Sequence, residues 1–223
     1  TLIEKISEIK GIERIRLGSL EPRIISEEFA ERLKKTEKFC PHFHLALQSG
    51  SDFVLKRMNR HYTTEEFYEK CVLLRKVFDN PAITTDIITG FPGETEEEFS
   101  ESMKYYEKVN FAKMHIFKFS RRAGTVADKM PGQLQENVKH ERSLRAIALD
   151  EQNHQAYMKS FIGDVQEVRK LCSVGCRLIE QHKELGVCEH QSCSFGLQAF
   201  LNILRCRRHN AAVFSKTLPC SVQ

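Results

Sequence analysis

The feature that most constrains the fold is a repeat of short apolar, β-branched runs, each followed by a loop and a longer amphipathic stretch. Four runs predict strands, at residues 12–17, 43–47, 83–89 and 114–119. Their spacing of roughly 30 residues is that of βαβ units, in which crossover helices join parallel strands. The sequence therefore predicts an α/β fold with a parallel sheet.

Capping residues indicate where the helices begin. Ser26 precedes an acidic first turn, and Thr63 and Thr95 are each followed three residues later by a glutamate, which is the spacing of a capping box.

Four βα units within the first 160 residues do not close an eight-unit barrel, which needs about 250 residues. We therefore expect part of a barrel or an open sheet.

Polar loops follow all four predicted strands, at residues 18–22, 48–52, 90–95 and 120–125. Parallel strands bring the loops after their carboxyl ends to one edge of the sheet. Together these loops offer carboxylates, an amide, hydroxyls, glycines and a pair of arginines, which suit a ligand with amine, carboxylate and ribose groups. For any single loop, turn formation is the favoured explanation, but four such loops at corresponding positions favour a ligand site.

Five ordered segments resemble the radical S-adenosylmethionine (SAM) methylthiotransferases, the family of MiaB and RimO. They are residues 14–22, 42–51, 55–63, 85–95 with the run Gly-Phe-Pro-Gly-Glu, and 119–127. The amino-acid sequences of these segments are most similar to those of the MtaB branch, and the resemblance covers about residues 1 to 165.

This resemblance implies a partial (βα)6 barrel, of which four units are present, with residues 1–160 as its C-terminal part. It implies 2-methylthiolation of N6-threonylcarbamoyladenosine next to the anticodon of tRNA. In the family a 4Fe–4S cluster cleaves SAM to a radical that activates the adenine carbon, a second cluster takes part in sulfur insertion, and a second SAM supplies the methyl group. Isopentenyladenosine or a ribosomal protein is an alternative substrate, and a non-catalytic module that binds SAM or tRNA is an alternative from another class.

The resemblance also implies which residues contact SAM. The cofactor-binding candidates are Ser19, Glu21, Gln48, Ser49, Asp86, Gly90, Phe91, Pro92, Gly93 and Glu94. Arg122 and Thr125 face either the SAM carboxylate or the RNA backbone, because a guanidinium pairs well with both anions.

The cluster ligands of the family are absent from this sequence. Radical SAM chemistry uses a Cys-x3-Cys-x2-Cys loop, and the one Cys-x3-Cys here, Cys172 to Cys176, has Ile179 at the third position. We therefore expect that Thr1 is internal to a longer protein, and that this chain alone does not cleave SAM.

The tail at residues 161–223 departs from the family, whose RNA-binding β-barrel should follow. Six of the eight cysteines crowd into its last 52 residues. One hypothesis is a zinc module, with ligands drawn from Cys172, Cys176, His182, Cys188, His190 and Cys193. The other is a shifted reading frame near Val165, which the abrupt rise in cysteine content and the irregular spacing favour.

Net charge, hydropathy and cysteine usage restrict the partners and the cellular compartment that we expect for the protein. The net charge of +4 lies wholly in residues 167–223, which hold eight Lys/Arg and four Asp/Glu, so no strong non-specific affinity for nucleic acid is expected. No apolar run approaches the roughly 20 residues that span a bilayer, and the cysteines show no secreted disulfide framework. We expect a soluble, cytoplasmic protein without a membrane partner, and its sulfur donor stays unknown.

Several residues fit simpler structural roles. His42 and His44 share one face of a strand, but the sequence shows no third ligand, so hydrogen bonding is expected there and no metal. Cys40 and Cys71 are predicted to be buried thiols. Phe67, Cys71 and Leu74 recur at helical spacing and are predicted to be core.

Overall fold

The computed structural model describes residues 2–164. In chain order the elements are α1 (Leu2–Glu8), β1 (Ser19–Leu20), a 3-10 turn (Pro22–Ile24), α2 (Glu27–Lys34), β2 (His42–Leu45), α3 (Asp52–Arg57), α4 (Thr64–Val77), β3 (Ala82–Thr89), α5 (Glu96–Val109), β4 (Lys113–Lys118), α6 (Val126–Lys129) and α7 (Glu136–Lys159). The chain divides into two compact units, Thr1–Met158 and Lys159–Gln223. The residues invoked for a zinc module and for a frameshift lie outside the described range.

The four strands form one parallel sheet in the order β1-β2-β3-β4. Ser19 pairs with His44, and Asp86 pairs with His115. The predicted α/β class and the predicted parallel sheet are confirmed, and the carboxyl ends of the strands share one edge. Within residues 2–164 no helix is both long enough and apolar enough to cross a membrane.

The prediction of a first strand at residues 12–17 is wrong. Only Ile15 pairs there, in an isolated bridge to Phe39, and the strand proper is Ser19–Leu20. Ser19 follows Ile15 by four residues, whereas its partner His44 follows Phe39 by five. The His42 N–H donates back to the Cys40 carbonyl at 2.6 Å and not to the first-strand segment, so the ladder is interrupted at this point.

The helix starts and the core follow the sequence patterns. Ser26 caps α2, and capping boxes form at Thr63 and Thr95. The predicted core residues on α4 are confirmed, since Phe67, Cys71 and Leu74 are fully buried. They pack in one apolar cluster with side chains from β2 and β3, which places the hydrophobic core between the sheet and its helices.

Helix α7 covers the outer edge of β4. The Asp150 carboxylate accepts the Met114 N–H at 2.6 Å and forms an ion pair with Lys113. His154 Nδ1 lies 2.9 Å from the Ala112 carbonyl oxygen. These polar side chains satisfy backbone groups that a fifth strand would otherwise bind.

Candidate functional site

Glu21 stands at the carboxyl end of β1. It precedes the 3-10 turn in extended conformation, and its side chain makes no capping hydrogen bond. Both Glu21 and Ser19 are exposed. The Glu21 carboxylate is therefore available as an acceptor at the edge where the polar loops meet.

Gln48 follows β2 in a left-handed conformation, with φ of 73°. Its backbone is held by β3, because its N–H donates to the Asp86 carbonyl and its own carbonyl accepts from the Ile88 N–H, both at 2.9 Å. Left-handed backbone is strained for a residue with a Cβ and tends to occur where surrounding structure fixes it for function. Gln48 is only 9% exposed, and its side-chain amide makes no hydrogen bond within residues 2–164, so it is a buried polar group without a partner among these residues.

Ser49 lies away from the loop surface. It is buried, its Oγ is 3.4 Å from the Ser102 hydroxyl of α5, and it accepts the Ser51 N–H. The structure thus places Ser49 in the contact with α5, whereas Gln48 beside it stays free.

Gly50 permits the close approach of this loop to α5. A Cβ at Gly50 would lie 2.8 Å from the Ser102 Cα and 2.9 Å from its carbonyl oxygen, and helix backbone cannot easily move. We expect Gly50→Ala to lower the free energy of unfolding by about 1–3 kcal/mol, as overpacking does. Urea unfolding of the full chain measures this, with Gly18→Ala, where the added methyl meets nothing within 4 Å, as the control. Equal unfolding midpoints for the two variants would contradict the expectation.

The Gly-Phe-Pro-Gly-Glu loop after β3 closes on itself. The Gly90 N–H donates to Glu94 Oε2 at 2.8 Å, and the Glu94 N–H donates to the Phe91 carbonyl at 3.0 Å. Gly90 and Gly93 have φ of 74° and 76°, which glycine adopts without strain. Phe91 and Pro92 are buried, and the Phe91 ring packs edge-on against Phe119.

Glu94 is bound to α7. The same Oε2 that accepts the Gly90 N–H also accepts Arg142 Nη1 at 2.8 Å, and both side chains are almost fully buried. Burial raises the pKa of Glu94, while the Gly90 N–H and the Arg142 guanidinium oppose that shift. This oxygen is therefore committed to holding the loop in shape.

Asp86 projects from the middle of β3 among histidines. Its Oδ2 lies 3.2 Å from His44 Nε2, and its side chain is 31% exposed. The His44 and His115 rings are 5.7 Å apart, and one ligand atom from each of His44, Asp86 and His115 lies within 4.8 Å of the others. The structure thus groups His44 with Asp86 and His115 as possible metal ligands, and His42, which the sequence analysis paired with His44, is not among them.

Arg122 and Thr125 are exposed beyond β4. The Thr125 hydroxyl is used within the loop, since it caps α6 and donates to the Arg122 carbonyl. Neighbouring Arg121 is paired with Asp128, whereas the Arg122 guanidinium makes no ion pair within the described residues. Arg122 is the free cation of this loop.

Sequence reasoning missed the residues of α7 that shape the loop after β3. Arg142 contacts Glu94 across 48 residues of sequence, and Lys139 covers Gly90 so closely that a Cβ there would lie 2.4 Å from its Cγ. Arg57 of α3 forms a bidentate pair with Glu98 on the other side. No local motif marks such partners, because their spacing is set by the fold.

Comparison with known proteins identifies the class. A model of the radical SAM superfamily matches residues 1–106. In fold, the chain is similar to coproporphyrinogen III oxidase (HemN) from Escherichia coli, a radical SAM enzyme, with a TM-score of 0.53 and 21% identity over 67% of this chain and 34% of that one. Residues 1–106 therefore belong to the radical SAM superfamily, and the four strands have the fold of part of a radical SAM barrel.

Two curated relatives are more similar. The threonylcarbamoyladenosine tRNA methylthiotransferase MtaB of Bacillus subtilis is 42% identical over 75% of this chain and 37% of its own length. A tRNA-2-methylthio-N(6)-dimethylallyladenosine synthase of Thermoanaerobacter sp. is 47% identical over 66% of this chain and 31% of its own length. The chain therefore spans about a third of the length of these relatives.

The residues present fit SAM but not the iron–sulfur cluster. SAM carries an ammonium group and two ribose hydroxyls, and the Glu21, Gln48 and Asp86 oxygens are acceptors suited to them. A cluster needs several thiolates together. The two cysteines in residues 2–164, Cys40 before β2 and Cys71 on α4, are buried as predicted, and burial raises the pKa of both thiols. These two residues do not provide the ligands of a cluster.

Proposed function

We propose that this chain is part of a radical SAM tRNA methylthiotransferase that converts N6-threonylcarbamoyladenosine to its 2-methylthio derivative. The observation that carries the proposal is the 42% identity to the Bacillus subtilis MtaB enzyme over 75% of the chain. The free acceptors after β1 and β2, together with Asp86, give that similarity a chemical basis. Because the substrate is a tRNA, we infer that the protein acts in the cytoplasm.

In this proposal the chain binds and orients SAM along one side. The Glu21 and Asp86 carboxylates and the Gln48 amide accept from the ammonium and ribose hydroxyls. Gly93 is exposed and allows main chain to approach the cofactor. Gly90, which Lys139 covers, keeps that loop in shape together with Phe91, Pro92 and Glu94. When bound, SAM supplies radical and methyl chemistry, with 4Fe–4S ligands from outside this chain.

The Arg122 loop is the proposed contact to the substrate. A free, exposed guanidinium pairs well with phosphate, and Thr125 fixes the loop that carries it. The SAM carboxylate is the alternative partner of Arg122. Either role uses a positive charge that no described residue neutralises.

A second candidate substrate is N6-dimethylallyladenosine in tRNA. The Thermoanaerobacter relative that carries this activity in its name is 47% identical over 66% of the chain. The two candidate activities share cofactor and reaction type and differ only in the group on the adenine nitrogen.

Disrupting the gene in its source organism tests both candidates. We expect tRNA hydrolysates analysed by nucleoside mass spectrometry to lose 2-methylthio-N6-threonylcarbamoyladenosine and to accumulate its precursor, N6-threonylcarbamoyladenosine. Loss of the dimethylallyl derivative instead would support the second candidate. Persistence of both methylthio nucleosides in a strain without a paralogue overturns the proposal, and re-introducing the intact gene is the control.

A further inference from the structure

The face of the sheet that points away from the hydrophobic core carries two histidines and an aspartate close together. Side chains of successive strand residues point to opposite faces. The residues that pack into the core include Phe43, Ile87 and Met114. Their neighbours His44, Asp86 and His115 therefore lie on the other face, on three adjacent strands. We call these three residues the histidine–aspartate cluster.

The distances within the cluster are close to those between ligands of one metal ion. His44 Nε2 lies 3.2 Å from Asp86 Oδ2, although these two atoms make no hydrogen bond. Two atoms that each lie about 2.0 Å from a tetrahedral zinc ion are about 3.3 Å apart. A ligand atom of His115 lies within 4.8 Å of both. It would have to approach by up to about 1.5 Å to complete the set.

Thr84 supplies the neighbour that a ligating histidine requires. Such a histidine binds the metal through one ring nitrogen and donates its other N–H to a nearby acceptor. The Thr84 hydroxyl oxygen lies 3.0 Å from His44 Nδ1 and is such an acceptor. Thr84 is 1% exposed, so bulk water does not replace it. His44 Nε2, on the side of Asp86, is then left for the ion.

The charges around the cluster suit a cation. Burial lowers the pKa of His115, while the Asp86 carboxylate opposes that shift, so the ring is neutral at neutral pH. A neutral ring is the form that binds a metal. Lys113 lies on the same face of β4, but its charge is compensated by an ion pair with Asp150.

His42 shares the face with His44 but does not belong to the cluster. Arg16 Nε lies 3.0 Å from its Nδ1, and Arg16 Nη2 lies 2.9 Å from its Nε2, so both ring nitrogens face a guanidinium. Burial, and then the Arg16 charge, lower the pKa of His42 to about 3. An ion beside His42 would therefore meet a positive charge, whereas one beside His44 meets the Asp86 carboxylate.

We propose that His44, Asp86 and His115 form a binding site for zinc or a divalent transition metal ion of similar chemistry. Two imidazoles with one carboxylate suit such ions, whereas calcium and magnesium take oxygen ligands. Three protein ligands leave the fourth position of a tetrahedral ion open. The Asp86 side chain is 31% exposed, so solvent reaches the cluster. The ion uses Asp86 Oδ2 and leaves Oδ1 for other partners, SAM included.

Cobalt(II), a spectroscopic substitute for zinc, tests the site in the full chain. The chain has eight cysteines, so its accessible thiols are first alkylated with iodoacetamide to remove ligation by sulfur. We expect one equivalent of cobalt to give the visible bands of a four-coordinate ion, without the near-ultraviolet band of a thiolate ligand, and zinc to displace it. Absence of these bands, or their appearance only with a thiolate band, overturns the proposal.

Ligand variants with a matched control locate the ion. Asp86→Ala and His115→Gln should each abolish the cobalt bands, whereas His61→Gln, which changes an exposed histidine before α4, should leave them unchanged. Thr84→Val should weaken zinc binding by about tenfold, as loss of a group that orients a ligand does, and Thr84→Ser should restore it. Cobalt bands that survive both ligand variants would show that the ion is bound elsewhere, and the proposal would be wrong.

Thermal unfolding separates loss of the ion from loss of the fold. An ion that binds only the folded chain raises Tm by mass action. We expect zinc to raise the Tm of the alkylated chain and of its His61→Gln variant, but not that of Asp86→Ala. An equal rise in all three contradicts the proposal. Zinc binding needs neither SAM nor tRNA, so its absence leaves the proposed function standing, and a chain that binds zinc but not SAM counts against the proposed function alone.

Discussion

Replacing Arg142 with methionine is expected to lower the free energy of unfolding by about 3–5 kcal/mol, because it leaves the buried Glu94 carboxylate without its cation. Arg142 Nη1 donates both to that carboxylate and to the Glu94 carbonyl, at 2.8 and 2.9 Å. Methionine fills a similar space but donates nothing. The loop after β3 should loosen along with α7.

Chemical unfolding of the full chain measures this loss. Arg145→Met is the matched control, because Arg145 makes the same kind of pair with Glu96 at the surface, where such pairs contribute about 0–1 kcal/mol. Glu94→Gln combined with Arg142→Met should recover part of the loss, since no buried charge then remains unpaired. Equal destabilisation by the two arginine changes would contradict a structural role for the buried pair.

Replacing Asp150 with leucine is expected to cost about 3–5 kcal/mol for a different reason. The carboxylate both accepts the Met114 N–H and compensates the Lys113 charge, so its loss leaves a backbone donor and a cation unpaired. Asp150→Asn, which keeps an acceptor but not the charge, should cost less. Glu151→Leu, an exposed neighbour on the same helix, is the control and should change stability little.

Amide hydrogen exchange shows where in the structure the Asp150→Leu substitution acts. In Asp150→Leu the Met114 amide should exchange much faster, whereas amides of β3 should follow only the global loss of stability. Protection of Met114 that is unchanged relative to its neighbours would show that another group has taken the place of the carboxylate.

The elements with a strong local signal were predictable from the sequence. Residues 83–89 were predicted as a strand and lie within Ala82–Thr89, because a short run rich in β-branched residues suits a strand that is covered on both faces. The capping boxes at Thr63 and Thr95 gave the starts of α4 and α5 for a similar local reason. The prediction of the first strand failed because its pairing is interrupted in the neighbouring segment, where the His42 N–H donates to the Cys40 carbonyl.

The candidate site, too, was predictable from the sequence only in part. Loops after strand ends were predictable, since parallel strands bring them to one edge, and Gln48 stands there with an unpaired amide. Asp86, in contrast, lies within β3. The links of Glu94 to Arg142 and of Thr84 to His42 were not, because they join residues 48 and 42 positions apart. Sequence pattern gives which residue types are present, and only packing decides which of them become partners.

The asymmetry of the two sheet edges limits how the described sheet could associate with copies of itself. Asp150 and its neighbours on α7 close the β4 edge to further backbone pairing, whereas β1 has no strand on its outer side within residues 2–164. The outer backbone groups of β4 therefore cannot accept a strand from another copy, and the described sheet cannot extend into a fibre of edge-paired copies on that side.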